Sequence, residues 1–339
     1  MSKKLSFLVS NNTEAIPNDK RLIYYLNNVS KQKVNIELDN VVVKQPSLCR
    51  QKSHLISFAD FDRSFIFWYC KYIVDLWGIR KIRVLPWFKT YKSLLYLTDV
   101  LPTLQRLGLT YRDCKFLFYY GESGITPEFP VIRKSRQSSD RTSVIFKMGN
   151  IRLFAPCLKI PKYDINWENK KGDVVWRGAT TGGQQRVNFV KRYFNLFNIG
   201  FATVKQKPEM KPYMKKTLSF KEQLKYKFLI SLEGNDVASN LRWALFSNSV
   251  VIMPKPHWNS WVMEAMLQPY VHYIPLNDNL DNLEEVMAWC AENDQECQRI
   301  AERSTLFMHQ FFDEENEGLV KRELLKEYAK RITFNKVNH

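Results

Sequence analysis

Two arginines stand where a chain of this kind could hold an anion. In Trp176-Arg177-Gly178-Ala179-Thr180-Thr181-Gly182-Gly183-Gln184-Gln185-Arg186, small residues and glycines follow a β-rich run, and Arg186 falls in the first turn of the helical period behind them. Glu233-Gly234-Asn235-Asp236-Val237-Ala238-Ser239-Asn240-Leu241-Arg242 repeats the arrangement, with Ser239 placed as an N-cap and Arg242 again in the first turn. A cation there opposes the helix dipole at a cost of about 0.3–1 kcal/mol. Two of them at equivalent turns point to a compensating anion. A diphosphate fits, since backbone N–H groups, the dipole and bidentate guanidinium pairing all converge on it. The other reading is a pair of ordinary surface or ion-paired arginines.

Further candidates are scattered. Glu122 lies just past the β-rich run Lys115 to Tyr120, in a turn freed by Gly121 and Gly124; it is a general base or a capping carboxylate. Arg133-Lys134-Ser135-Arg136 is a basic cluster, so that Lys134 and Arg136 bind an acceptor phosphate or acidic sugar, or else form a solvated face. His257 and His272 have the chemistry of a base, but in Tyr270-Val271-His272-Tyr273 a packed or hydrogen-bonded structural histidine is the competing reading. Asp140 is a further carboxylate in reserve, and Glu264 stands where related folds hold a ribose. Asp60-Phe61-Asp62 follows the strand-like Leu55 to Phe58, a carboxylate pair that could hold a divalent cation. The six cysteines contain no Cys-x-x-Cys pair, which argues against a zinc site or disulfide framework and for buried free thiols in a reducing compartment.

These residues need elements to position them. From Asp173 onward, strands (Asp173 to Trp176, Phe228 to Leu232, Ser249 to Met253, His272 to Leu276) alternate with helices. The first helix turns Val187, Val190, Phe194 and Phe197 to one side and the second Leu241, Ala244 and Leu245. A third is expected near Trp258 to Leu267. A fourth opens at Asp281-Asn282-Leu283-Glu284 as a capping box, with Leu283, Val286, Met287 and Cys290 on one face. Such alternation predicts a parallel sheet wrapped by helices. In the first half, Leu5 to Ser10, Val34 to Leu38, Leu55 to Phe58, Lys81 to Leu85 and Lys115 to Tyr120 read as strands, and residues near 21–29, 64–77 and 93–107 as helices. The expectation is an α/β chain with domains at 1–165 and 166–315, and a helix at 316–339 that can pack back on the first domain.

Composition bounds the rest. At 339 residues with 45% hydrophobic and 14% aromatic residues, the chain can build two cores. The longest apolar runs, such as Phe65 to Cys70, reach about a third of a bilayer span, and the start of the chain does not read as a signal peptide. A cytoplasmic protein is expected. Residues 1–250 carry 42 Lys and Arg against 19 Asp and Glu, whereas residues 251–339 carry 9 against 15. The basic body implies an anionic partner: nucleic acid, lipid headgroups or a phosphorylated substrate. Residues 63–92 mix Trp68, Tyr69, Trp77, Trp87 and Phe88 with seven cations and one acid, Asp75. That is a surface for anionic membrane, or a set of core aromatics with solvated charges. No RNA-binding or helix-turn-helix signature accompanies the charge, and no nucleic-acid partner is expected.

The Trp176 to Arg186 segment, Tyr226 to Trp243, Ser249-Val-Val-Ile-Met-Pro254 on to Trp261, Pro269-Tyr-Val-His272-Tyr-Ile-Pro-Leu276 and the Asp281 helix, in that order and spacing, resemble glycosyltransferase family 90, in the branch of bacterial lipopolysaccharide A proteins. The resemblance covers roughly residues 115–310. It implies a GT-B-type fold of two Rossmann-like domains facing a cleft, a nucleoside-diphosphate hexose donor such as UDP-glucose or UDP-galactose, and inversion at the anomeric carbon. It further implies no metal and no cofactor, with an anionic lipopolysaccharide-core glycolipid as acceptor. By position Arg186 and Arg242 match arginines that hold the donor diphosphate. Val237, Ala238, Ser239 and Asn240 match the loop around the nucleotide, and Arg177, Gly178 and Thr180 complete the donor-binding set. Ala179 stands where the family often has serine, and Glu122 where it has a catalytic aspartate. A metal-dependent GT-A transferase using Asp60 and Asp62 is the alternative.

Overall fold

Five short apolar runs form a wholly parallel sheet: β1 Lys171–Ala179, β2 Asn198–Thr203, β3 Tyr226–Ile230, β4 Val250–Met253 and β5 Ile274–Pro275, in the order β5-β4-β3-β1-β2. All four residues of β4 are buried, as are Phe228, Leu229 and Ile230 of β3. Burial on both faces is why these strands read as continuous apolar runs and not as alternation. The helices that cover them are α1 Gln185–Tyr193, α2 Leu241–Leu245, α3 Leu283–Glu292 and α4 Asp294–His309. Their inward residues include Val187 and Val190, then Leu241, Ala244 and Leu245, then Leu283, Val286 and Cys290, the faces that the period indicates. Trp176 sets the packing on β1: its indole meets Phe189 and Phe201 edge-on, with centroids 6.5 and 5.7 Å away. A Cβ on Gly178 would lie 2.3 Å from that indole, so the ring occupies the space a side chain would need. Truncating a buried residue of this sheet, such as Ile252→Ala, would cost about 2–5 kcal/mol.

The computed structural model describes residues 15–37, 53–57, 115–119 and 128–335, together with Tyr96, 99–100, 102–104 and 106–107. Contacts divide the chain into two units. One is built on Asn150–Glu314 and contains the parallel sheet; the other holds, among the described residues, 18–37, 53–57, 115–119, 128–149 and 315–335. In this second unit Ser53–Ser57 pairs antiparallel with Lys115–Tyr119, which pairs parallel with Ile132–Arg133 and through it with Val144–Ile145. Val34–Glu37 pairs parallel with Ile332–Asn335. The C-terminal helix Glu314–Arg331 is held in this unit by Tyr328, which stacks on Phe116 and donates to the Pro130 carbonyl at 2.8 Å. Glu317, 2% exposed, takes Arg21 at 2.5 Å and Lys147 at 2.6 Å, so three buried charges balance one another in part.

Three local expectations change. No helix spans 258–267. Residues 258–264 are buried in succession, leaving no polar face for an amphipathic helix; Trp258–Ser260 is extended and only Glu264–Met266 makes a 3₁₀ turn. The N-cap of α2 is Asn240 and not Ser239; its side chain caps no helical N–H but donates to the Ile230 carbonyl at 2.9 Å, and Ser239 is exposed. Asp281 forms no capping box: the N-cap of α3 is Asn282, and Asp281 accepts from Asn277 at 2.5 Å. The first-turn N–H of Leu283 is satisfied instead by the Tyr193 hydroxyl at 3.1 Å. Among the described cysteines Cys157, Cys290 and Cys297 are buried free thiols. No helix among the described residues is long and apolar enough to cross a membrane.

Candidate active site

The chain runs from β1 through α1 to β2 on one side, then returns past β1 to lay β3 on its other side. The strand order therefore reverses between β1 and β3, and a ligand of an open parallel sheet binds beyond the carboxyl ends of such a pair. The turns that leave those ends are the two arginine segments, and they touch. Gly182 has φ +84°, and a Cβ there would fall 2.4 Å from the Gly234 Cα, so this position needs glycine both for its backbone and for the approach of the second turn.

Arg186 locks the turns together. Its Nε donates to the Glu233 carbonyl (3.0 Å), Nη2 to the Leu232 carbonyl (2.5 Å), and Nη1 to the Ala179 carbonyl (3.2 Å) and Thr181 Oγ1 (3.0 Å). The guanidinium also lies 5.7 Å over the Trp176 ring. Burial lowers its pKa to about 10, against the opposing pull of Asp236 and Glu233, so it remains a cation at neutral pH.

Arg242 is placed differently. It is 2% exposed, with Nη2 donating to Ser260 Oγ at 2.7 Å, Glu264 Oε1 4.0 Å away, and the guanidinium 5.0 Å over the Phe154 ring. Its Nε and Nη1 are buried and have no hydrogen-bond partner. Buried guanidinium donors left unpaired cost free energy that an anion would recover.

The remaining donor candidates divide. Val237 and Ala238 are buried, Ser239 is exposed and Asn240 holds β3 to α2. Thr180 is buried, with Oγ1 3.5 Å from Gln206 Oε1. Arg177 binds the carbonyls of Lys216 and Asn198, each at 2.8 Å, and Asn198 Oδ1 at 2.7 Å, so it joins the start of β2 to the edge of β1. Gly178 is required by the Trp176 indole.

Glu264 is bonded to its own turn. It is fully buried, accepting from Ser260 N–H and Ser260 Oγ, each at 2.5 Å, and burial raises its pKa. His272 is a packed histidine: Nδ1 accepts from Gln268 N–H at 3.0 Å and the ring lies 5.0 Å from that of Phe307. Burial, followed by Arg303, lowers its pKa to about 4. The exposed His257 has Nδ1 3.5 Å from Glu233 Oε2, and Glu233 also accepts from the N–H groups of His257 and Trp258 at 3.0 and 2.9 Å.

In the other unit the basic cluster is neither a solvated face nor an open anion site. Arg136 is buried, with Nη1 on the Tyr25 and Ser143 carbonyls at 2.9 and 2.7 Å and Nη2 on that of Tyr24; burial lowers its pKa to about 10. Lys134 is buried with Nζ 5.7 Å over the Tyr96 ring. Arg133 pairs with Asp140 at 3.6 Å, and Asp140 accepts from the N–H groups of Thr142 and Ser143. Asp140 is thus a turn cap, not a free carboxylate. Glu122, Asp60, Asp62 and the 63–92 segment lie outside the described residues. Among the described residues no group of three or more His, Cys, Asp or Glu is arranged to hold a metal.

Ser260, Phe154 and Thr181 are site residues that sequence reasoning missed. Their only signal is local: Ser260 and Glu264 are four apart, and Thr181 sits inside the glycine-bearing turn.

Comparison with known proteins identifies the family. The model of glycosyl transferase family 90 matches residues 142–339, taking in both arginine turns. O-glucosyltransferase LpsA of Dichelobacter nodosus is 30% identical over 243 residues, covering 71% of this chain and 74% of that protein. Human protein O-glucosyltransferase 3 is 26% identical over 49% of this chain and human protein O-glucosyltransferase 1 is 23% identical over 50%; the matches span 33% and 44% of those proteins. With the family model matched across more than half its length, this chain belongs to glycosyltransferase family 90 and is a glycosyltransferase.

Proposed function

We propose that the chain transfers a hexose, glucose in the first instance, from a UDP-sugar to a lipopolysaccharide-core or related surface-glycan acceptor, with inversion and without a metal. The observation that carries this reading is Arg242: a buried cation in the first turn of α2, the helix that follows β3, with Nε and Nη1 unpartnered. A diphosphate supplies acceptors for those donors. As the sugar–phosphate bond breaks, negative charge grows on the leaving diphosphate, so a fixed cation there acts most strongly in the transition state. The names of the relatives, all O-glucosyltransferases, favour glucose. The GT-B arrangement and the base Glu122 follow from the family resemblance, Glu122 lying ahead of the matched 142–339. The basic first 250 residues fit an anionic glycolipid acceptor and contact with the inner face of an anionic membrane.

The test is a donor screen that scores hydrolysis of UDP-glucose, UDP-galactose and other nucleotide sugars, with EDTA or added manganese. Turnover of UDP-glucose unchanged by EDTA is the expected result. Loss with EDTA that manganese restores, and that Asp62→Ala abolishes, would replace this reading by the metal-dependent one.

A further inference from the structure

We propose that Ser260 and Glu264 are positioning residues that aim Arg242 at the donor diphosphate before any ligand arrives; this rests on the reading of Arg242 as the diphosphate anchor. The three side chains form one buried line. Arg242 Nη2 donates to Ser260 Oγ at 2.7 Å, Ser260 Oγ donates to Glu264 Oε1 at 2.5 Å, and Ser260 N–H donates to Glu264 Oε2 at 2.5 Å. Ser260 and Glu264 are both 0% exposed and are bonded to each other.

The hydroxyl acts as a spacer. At 4.0 Å the Arg242–Glu264 pair is at the limit of an ion pair. A carboxylate in direct bidentate contact would engage two guanidinium N–H groups and compete with a diphosphate for them. Relayed through Ser260, its charge balances the buried arginine while a single nitrogen is engaged, which leaves Nε and Nη1 for the ligand. Phe154 beneath the guanidinium, at 5.0 Å, fixes its plane as the relay fixes its direction. The backbone is shaped to the same end. Met263 adopts φ +54° and its N–H bonds to the Ser260 carbonyl at 3.0 Å, making the tight turn that brings Glu264 back onto Ser260. A side chain fixed beforehand in its binding geometry loses less entropy when the ligand binds.

A structural cap alone would show the same hydrogen bonds, so the test is a cycle. Affinities of UDP and of inorganic pyrophosphate, which lacks the base and ribose, are measured by calorimetry for wild type, Ser260→Ala, Arg242→Ala and the double variant. Ser260→Ala should weaken both probes about 3- to 10-fold, the scale of one hydrogen bond, and should change neither by more than about twofold once Arg242 is alanine. Ser260→Thr, which keeps the hydroxyl, should bind near wild type. Glu264→Gln repeats the cycle, since an amide replaces one of the two oxygens that accept from Ser260 with a donor. Equal weakening with and without Arg242, or unchanged affinity in Ser260→Ala, overturns the relay while leaving the anchor intact. Arg242→Ala binding both probes like wild type, or wild type binding neither, overturns the anchor and the relay with it. If neither Ser260→Ala nor Glu264→Gln folds, the line is structural and the proposal fails.

Discussion

The turns after β1 and β3 place an arginine at the second position of a helix, at adjacent strand ends of one sheet, yet the two side chains do opposite things. Arg186 reaches across to the neighbouring turn and engages three carbonyls and a hydroxyl. Arg242 engages one hydroxyl and keeps Nε and Nη1 without partners. The difference follows from what each meets. Around Arg186 the backbone of Leu232 and Glu233 turns its oxygens inward, whereas around Arg242 the neighbours are the Phe154 ring and side chains already paired with one another. A cation in a first helical turn therefore marks two distinct devices, a bracket that builds the site and an anchor that uses it.

The comparison can be broken at its strongest point first. Arg186→Ala removes four hydrogen bonds and strands buried carbonyls on both turns, so it should cost about 3–5 kcal/mol and lower the melting temperature sharply. A variant that melts near wild type would show that the turns hold without the bracket.

A second effect separates the turns by pH. Arg242 depends on the returning segment 254–273, and His272 closes that segment through its bond from Gln268 N–H. Its pKa is lowered from 6.5 to about 4 in the folded protein, so the unfolded chain binds a proton that the folded one refuses between those values. Stability from this group is complete above pH 6.5 and is lost as pH falls toward 4, by up to about 3 kcal/mol. Urea unfolding between pH 7 and 4 should show this slope, and His272→Gln should flatten it. An unaltered slope in the variant would assign the acid sensitivity elsewhere.

The smallest of the three effects is Gly182→Ala. A methyl group at φ +84°, pressed on the Gly234 backbone, should cost about 1–3 kcal/mol, read as a lower melting temperature, and should weaken UDP as the second turn is displaced. Wild-type stability and affinity would show that the approach of the turns is incidental.

What could be read in advance was the periodic part. The faces of α1, α2 and α3 and the strands around Val175, Leu229 and Val251 follow from apolar spacing, because packing against a sheet imposes a period on side chains. The roles of the cations were not legible for one physical reason: their partners are mostly backbone carbonyls, which every residue has. Arg136 on Tyr24, Tyr25 and Ser143, and Arg186 on Leu232 and Glu233, carry no complementary residue type to search for. The helix expected over 258–267 failed for another reason, since continuous burial of 258–264 removes the polar face that would reveal a period. Glu264 was visible as a carboxylate near the site, but its burial against Ser260 exists only in the folded chain.

The most direct test of the account is Arg242→Ala, read by UDP titration and a melting curve on the same preparation. Loss of a charge-assisted contact should weaken UDP by about 10- to 150-fold, equivalent to 1.5–3 kcal/mol. Arg242 also balances the buried Glu264, so the melting temperature should fall as well, and UDP affinity is the readout that decides. Unchanged UDP affinity with a clearly lower melting temperature would make Arg242 a second bracket and contradict its role as the anchor of a transferred sugar's diphosphate.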